Sequence, residues 1–337
     1  MADDCSLLVF SRDPGATRTL LAVLDGLAAV PQAGEPDGLQ QLRGDAEPYR
    51  RQLRIVARPP GEAIWRRAGH AVAHWSGREP AEADDLLRAV SAGMVLTGTS
   101  DVDDPGDRLL WQAARERGIA SHAVLDQKVN LAARFRTSKG ATIAPDWVYV
   151  RDADYAAELA ETGIGPRQIR VIGDVAMRWM QRRHQALTND DAIALRAAWK
   201  VPPDTPVILF VSECGREMAV AGRIAAYDEV AVLEGFLQRL DRNDRDLAVP
   251  GRNGQRPHVV IRPHPRDGAG KYAGFKSQRP SGVTLCVSTT GEPEAALKAA
   301  DLVVGMNSSL LHEARALGVP ALSLTGHPLA DAQGAQW

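Results

Sequence analysis

The sequence predicts an α/β protein built from two doubly wound domains. Three features carry that prediction. The chain has 337 residues, room for two domains at roughly 100–200 residues each. Short apolar runs alternate with helical patterns along most of its length, the signature of parallel sheets covered by helices. The alternation breaks at Ile172-Gly173-Asp174, where a strand ends and a polar helix rich in Arg and Gln follows over residues 178–186. The expected domains are therefore residues 1–173 and 174–337.

In the first half, strands are expected at residues 7–10, 53–57, 94–97, 122–125, 147–150 and 169–172, and helices at 18–30, 81–92, 108–117 and 155–162. In the second half, strands are expected at 207–211, 259–262, 283–287, 302–305 and 321–324, and helices at 190–199, 227–241, 294–299 and 308–317. The strands are near-continuous apolar runs, which fits burial on both faces of a parallel sheet. Residues 32–47 and 242–255, rich in Gly, Pro, Arg and Asp, read as exposed loops.

Hydrophobic residues make up 45% of the chain and charged residues 24%, ordinary for a soluble globular protein and too apolar for a disordered one. The formal charge of −2, with no Lys/Arg-rich run, gives no electrostatic reason to bind nucleic acid. Cys5, Cys214 and Cys286 are far apart, with no CxxC or Cys/His cluster. That argues against structural zinc and for free thiols in a reducing compartment. The acidic start and the short apolar run at 7–10 do not make a signal peptide. No stretch reaches the about 20 apolar residues of a membrane span. The expectation is a cytoplasmic protein with no transmembrane segment and no nucleic-acid partner.

The polar residues that follow the strands carry the chemistry, because open α/β sheets bind ligands at the carboxyl ends of their strands. After the first strand comes Ser11-Arg-Asp-Pro-Gly-Ala. It lacks both GxGxxG and GxxxxGK[ST], so neither a dinucleotide nor an ATPase reading is supported. Arg12 and Asp13 stand where a substrate of the first domain would sit, and Asp13 suits a general base or hydroxyl acceptor. After the strand at 94–97, Thr99, Ser100 and Asp101 suit sugar hydroxyls. The acids of this loop offer oxygen ligands to a cation, but no DxD-type pair stands out and metal dependence is not expected. Asp126-Gln127 follows the strand at 122–125.

In the second half, the strand at 207–211 ends in Ser212-Glu-Cys-Gly-Arg-Glu. Gly215 permits close backbone approach and Arg216 can neutralise phosphate; no adjacent base activates Cys214. The strand at 259–262 runs into Pro263-His264-Pro265-Arg266. Its two prolines fix where His264 points, and His and Arg together suit a diphosphate. Finally, Asp301 to Gly305 leads through Met306-Asn307-Ser308-Ser309 into a helix ended by Gly318 and Pro320. Asn307 or Ser308 suits the N-cap. The helix start with Ser308 and Ser309 suits phosphate, and Glu313, one turn in, suits ribose hydroxyls.

In this order the units resemble the GT-B superfamily, which includes glycosyltransferases and the UDP-N-acetylglucosamine 2-epimerases. The resemblance spans most of the chain. Ser11-Arg-Asp-Pro-Gly-Ala looks like the epimerases' Gly-Thr-Arg-Pro-Glu-Ala, with Arg12 matching and Gly15 in place of Glu. Val171-Ile-Gly-Asp resembles their Val-Thr-Gly-Asn hinge. Ser212 to Glu217 stands where they carry His-Arg-Arg-Glu-Asn; Arg216 and Glu217 match and the His is absent. Asn307-Ser-Ser-Leu-Leu-His-Glu-Ala stands where they carry Ser-Gly-Gly-Ile-Gln-Glu-Glu-Ala, and Glu313 matches the ribose-binding Glu. Arg-Pro-His-Pro-Arg with a Ser-Ser turn looks more like bacterial capsule and wall-polymer transferases that use CMP- or CDP-linked donors.

The resemblance implies two Rossmann-like domains facing a cleft, the first for the acceptor and the second for the nucleotide. It implies a glycosyltransferase-like enzyme moving a sugar or related group from a UDP-, CMP- or CDP-linked donor to a small-molecule or glycan acceptor, in glycan or secondary-metabolite biosynthesis. The donor is then a substrate, and no resident cofactor is expected. The expected catalytic residues are Asp13, Arg12 and Asp126; the substrate-binding residues are Gly15, Ser100, Asp101 and Gln127. Arg216, Glu217, His264, Arg266, Asn307, Ser308, Ser309 and Glu313 are the expected nucleotide-binding residues. The alternatives are a nucleotide-sugar 2-epimerase or hydrolase, and a degenerate GT-B protein that binds without turnover.

Overall fold

The apolar runs form strands that pair in parallel throughout. A computed structural model describes residues 5–31, 33–100, 104–137, 140–220, 227–242, 244, 247, 249, 255–268, 270–275 and 281–326. Among these, contacts divide the chain into two compact units, one up to Trp179 and one from Met180. The division falls inside helix α8 (Val175–Ala186), whereas the sequence reading had placed the change at residue 173. The reason is packing: Trp179 lies on a core of the first unit, while Met180, 1% exposed, belongs to a core of the second.

In the first unit, strands β1 (Ser6–Ser11), β2 (Leu53–Ala57), β3 (Ala73–His74), β4 (Ala92–Thr97), β5 (Ala120–Val124), β6 (Trp147–Val150) and β7 (Ile169–Val171) form one seven-stranded sheet. Its order is β3-β2-β1-β4-β5-β6-β7. Successive side chains of a strand point to opposite faces. Accordingly Leu7 and Val9 enter one core with Ile55, Met94 and Leu96. Leu8 and Phe10 enter another with Val56 and Val95. Burying the four side chains of that run contributes about 6–12 kcal/mol of gross hydrophobic free energy.

In the second unit, β8 (Val207–Val211), β9 (His258–Arg262), β10 (Thr284–Val287), β11 (Leu302–Gly305) and β12 (Ala321–Ser323) form a five-stranded parallel sheet in the order β10-β9-β8-β11-β12. The same alternation holds. Ile208, Phe210, Val259 and Ile261 face one core; Val207, Leu209, Val211 and Val260 face the other.

Two further expectations are corrected. The edge strand β3 was not expected, since its two residues are exposed and form no apolar run. Residues 32–47, read as a loop, contain helix α2 (Asp37–Ala46). Gly38 and Gly44 lower helix propensity, but Leu39, Leu42 and Ala46 are buried at i, i+3 and i+7, and that stripe decides the conformation. Gly38 is there for close approach, since a Cβ would overlap the Val171 carbonyl. Most of residues 242–255 lies outside the described residues.

Candidate functional site

Each sheet reverses its strand order once: between β1 and β4 in the first unit, and between β8 and β11 in the second. Crevices at such reversals, beyond the strands' carboxyl ends, are where open sheets take ligands.

In the first unit, β1 turns directly into helix α1 (Pro14–Ala28). Trp65 Nε1 donates to Ser11 Oγ at 2.8 Å, Ser11 and Thr17 hydroxyls meet at 2.8 Å, and Thr17 Oγ1 donates to the Asp13 carbonyl at 2.9 Å. These bonds fix the turn. Asp13 occupies the N-cap position, yet its carboxylate makes no capping bond although the residue is only 4% exposed. Gly15 is exposed, and a Cβ there would run into Asp126 Oδ2. Asp126 therefore lies over the first turn of α1. Its side chain is 4% exposed and takes an ion pair from Arg134 Nη1 at 3.2 Å. Burial pushes the Asp126 carboxyl up to about 6; Arg134 opposes the rise and the Asp13 charge adds to it. A carboxyl that exchanges protons near neutrality suits acid–base work.

Arg12 is less buried; its Nε lies 3.5 Å from Asp104 Oδ2. Arg58 binds the other Asp104 oxygen and sits against the rings of Phe10 and Trp75, 5.6 and 5.1 Å from their centroids. Ser100 is buried, and its amide donates to Asp107 Oδ2 at 2.6 Å. Burial pushes Asp107 also to about 6. Gln127 is exposed beside Asp126. Asp101 lies outside the described residues. So Arg12, Asp13, Gly15, Ser100 and Asp126 stand on the loops at or next to the β1/β4 reversal. Arg58, Asp104, Asp107, Arg108 and Arg134, which the sequence reading missed, form the buried polar layer beneath them. The available signal was the position of Asp104, Asp107 and Arg108 after β4 and of Arg134 after β5.

In the second unit, side chains knit three strand-end loops together. Tyr272 OH meets Ser212 Oγ beyond β8 and Asp267 Oδ2 beyond β9. Glu213 accepts from the Asn307 amide beyond β11 at 2.6 Å and from Tyr227 OH. The Asp267 carboxylate also takes the His264 amide at 2.8 Å. His264 Nδ1 accepts from the Arg266 amide at 3.1 Å. That bond assigns the ring proton to Nε2, leaving a donor; burial lowers the His264 pKa, so the ring is neutral.

Ser308 caps helix α13 (Ser309–Ala316), its Oγ accepting from the Leu310 amide at 3.3 Å. Ser309 is exposed at the first position of that helix, and Glu313 is half-buried in its second turn. Asn307 Oδ1 lies 3.3 Å from His312 Nε2. Arg216, 49% exposed, pairs with Asp228 at 2.8 Å, so its guanidinium is engaged on the surface. Glu217 pairs with Lys271 at 2.7 Å. The Lys271 side chain, 7% exposed, also meets Glu229 and Asp267. Glu213, Lys271, Tyr272, Glu229 and Asp267 were not among the sequence candidates. Among the described residues, no group of three or more His, Cys, Asp or Glu is placed to hold a metal ion, and no helix is long and apolar enough to cross a membrane.

No protein-family model matches the sequence, and no curated protein does. Solved structures do match the fold. The UDP-GlcNAc 2-epimerase of Methanocaldococcus jannaschii aligns with a TM-score of 0.58 at 12% identity, over 94% of this chain and 83% of that one. The Neisseria meningitidis UDP-GlcNAc 2-epimerase, solved with UDP-GlcNAc bound, aligns at 0.56 and 12% identity, over 94% and 82%. A glycosyltransferase of Rickettsia africae aligns at 0.51 and 10% identity, over 95% and 79%. The chain thus has the GT-B-type fold of the UDP-GlcNAc 2-epimerases and glycosyltransferases, in two parallel α/β units of seven and five strands.

Proposed function

We propose that this protein is a nucleotide-sugar enzyme that transfers a sugar or related group from a nucleotide-activated donor to an acceptor. The observation that carries this reading is the gathering of three strand-end loops at the β8/β11 reversal. Beyond β9 a neutral His264 has an Nε2 proton to donate, and beyond β11 a Ser-capped helix starts with Glu313 one turn in. A helix start and a fixed imidazole N–H suit phosphate oxygens, and a carboxylate one turn in suits ribose hydroxyls. The Asp13 and Asp126 carboxylates of the first unit are the acid–base groups of this proposal, acting on the acceptor or the transferred group.

A thermal-shift series with UDP, GDP, CDP, CMP and dTDP tests the nucleotide. A ligand at 100 times its Kd adds about 2.7 kcal/mol to the unfolding free energy. A raised midpoint with UDP, CDP or CMP is expected, and no response to any of the five ends the proposal. His264→Ala should weaken binding of the responding nucleotide by about 1.5–3 kcal/mol, the cost of a hydrogen bond to a charged group. Glu313→Ala should weaken ribose nucleotides and leave inorganic diphosphate untouched. The reverse pattern for Glu313 would move the ribose elsewhere.

The second reading, epimerisation or hydrolysis of the nucleotide sugar, is favoured by the same two carboxylates, because moving a proton off and onto a sugar needs such a pair. Nucleotide release that depends on an acceptor supports transfer. Release without an acceptor supports hydrolysis, conversion of the nucleotide sugar to its epimer without release supports epimerisation, and binding with neither supports a protein that does not turn over.

A further inference from the structure

We infer that Arg134 is the positioning residue for Asp126: it holds the carboxylate over the first turn of α1, and Gly15 leaves the space for it. The inference rests on the reading of Asp126 as an acid–base group. Arg134 lies on the one-turn helix α6 (Leu131–Arg134) and its side chain is 2% exposed. A guanidinium so buried is costly unless its donors are filled. Here they reach two loops at once. Nε donates to the Val129 carbonyl at 2.9 Å; Nη1 donates to the Thr99 carbonyl at 3.0 Å, to Thr99 Oγ1 at 2.7 Å and to Asp126 Oδ1 at 3.2 Å. Arg108 Nη1 in turn donates to the Arg134 carbonyl at 2.9 Å and anchors the turn that carries it. Nη1 by itself joins Thr99 beyond β4 to Asp126 beyond β5, and Nε ties the same planar group to Val129; a lysine ammonium has no second donor at that fixed spacing.

On its other side Asp126 presents Oδ2 to α1, at the spot a Cβ of residue 15 would fill. The helix start there favours negative charge. The carboxylate is thus held from both sides, one oxygen on the guanidinium and one against a residue with no side chain. The charged and titratable groups that act on it or feel it are Arg134, Asp13 and Tyr155. Its place is therefore fixed by a residue too buried to meet a ligand, and the same residue limits the rise in proton affinity that burial causes.

The test is a carbon NMR titration of the full chain, aspartate carboxyls labelled and no ligand present. The Asp126 signal is assigned by its loss in Asp126→Asn and the Asp107 signal by its loss in Asp107→Asn. Removing a nearby opposite charge raises a carboxyl pKa by about 1–3 pH units. Arg134→Gln should raise the Asp126 midpoint by that much and leave Asp107 in place, and Arg134→Lys should restore part of the difference. Gly15→Ala keeps Arg134 but drives the carboxylate off α1, so it too should move the midpoint; it and Arg134→Lys decide the matter if Arg134→Gln does not fold. A merely structural Arg134 would lower the melting temperature and leave the Asp126 midpoint unchanged in the folded variants, which overturns the inference. The titration uses no nucleotide. Its failure is thus distinguishable from failure of the functional proposal, which the thermal-shift series decides alone.

Discussion

Lys271→Met should cost the second unit about 3–5 kcal/mol, the range for removing one partner of a buried ion pair. Its ammonium lies 2.7 Å from both Glu217 and Asp267 and also meets Glu229. Glu229 is 0% exposed and the Asp267 side chain 2%. Without the cation, two carboxylates out of water's reach are left facing each other. Methionine restores the volume and none of the charge. Against a total stability of about 5–15 kcal/mol, that is a large fraction. Burial disfavours the charged ammonium, but the carboxylates together outweigh it and hold Lys271 protonated more firmly than usual. A pKa raised on folding means the stabilisation is whole below the unfolded-state value near 10.4 and is lost as pH rises through the folded value. Hydrogen exchange on the full chain reads the effect locally. Amides of β8 and β9 should lose protection in the variant while those of β1 and β4 do not. A loss below about 1 kcal/mol, the worth of an exposed pair, would mean that the carboxylates have other means of neutralisation.

All the strands but β3 were legible, because burial on both sides writes an apolar run that no helix period explains, as at Val207–Val211; the two exposed residues of β3 write no such run. Helix α2 was not, because Gly38 and Gly44 imitate a loop, and the need for Gly38 arises only from its approach to Val171. The candidate site divides the same way. Arg12, Asp13, Asp126, His264 and Ser308 stand directly after strands, so position alone nominated them. Their supports could not be nominated, because nothing local marks the partner. Arg58 reaches Asp104 across 46 positions and Lys271 reaches Glu217 across 54. With 40 Lys and Arg and 42 Asp and Glu in the chain, pairing is decided by topology. Arg134 and Asp126 are only eight positions apart, but the short helix between them has no period long enough to read.

Asp126→Asn should flatten the pH dependence of stability between about pH 4 and 6. In the folded chain Asp126 holds its proton up to about 6, against an ordinary value near 3.8. The folded state therefore binds a proton that the unfolded state has released across that window. Stability falls as pH rises wherever the native state binds more protons. A displacement of about two pH units corresponds to about 3 kcal/mol at 1.36 kcal/mol per unit. That stabilisation is whole below pH 4 and gone above the folded value. Asp107 makes a similar displacement. His122, buried and pushed down to about 4, makes the opposite one, since its unfolded form takes up a proton that the folded form refuses. The wild-type curve is the sum of these and identifies no single group, but the difference between wild type and Asp126→Asn cancels the others. Urea midpoints at pH 4, 5, 6 and 7 should give a difference that grows by up to about 3 kcal/mol in favour of the asparagine variant. Parallel curves would show that Asp126 is ionised throughout, which removes its fitness to exchange protons near neutrality. If that exchange is its task, the same substitution should lower turnover about 100- to 10,000-fold while nucleotide affinity in the second unit stays unchanged. Such a split is the mark of an interaction made in the transition state.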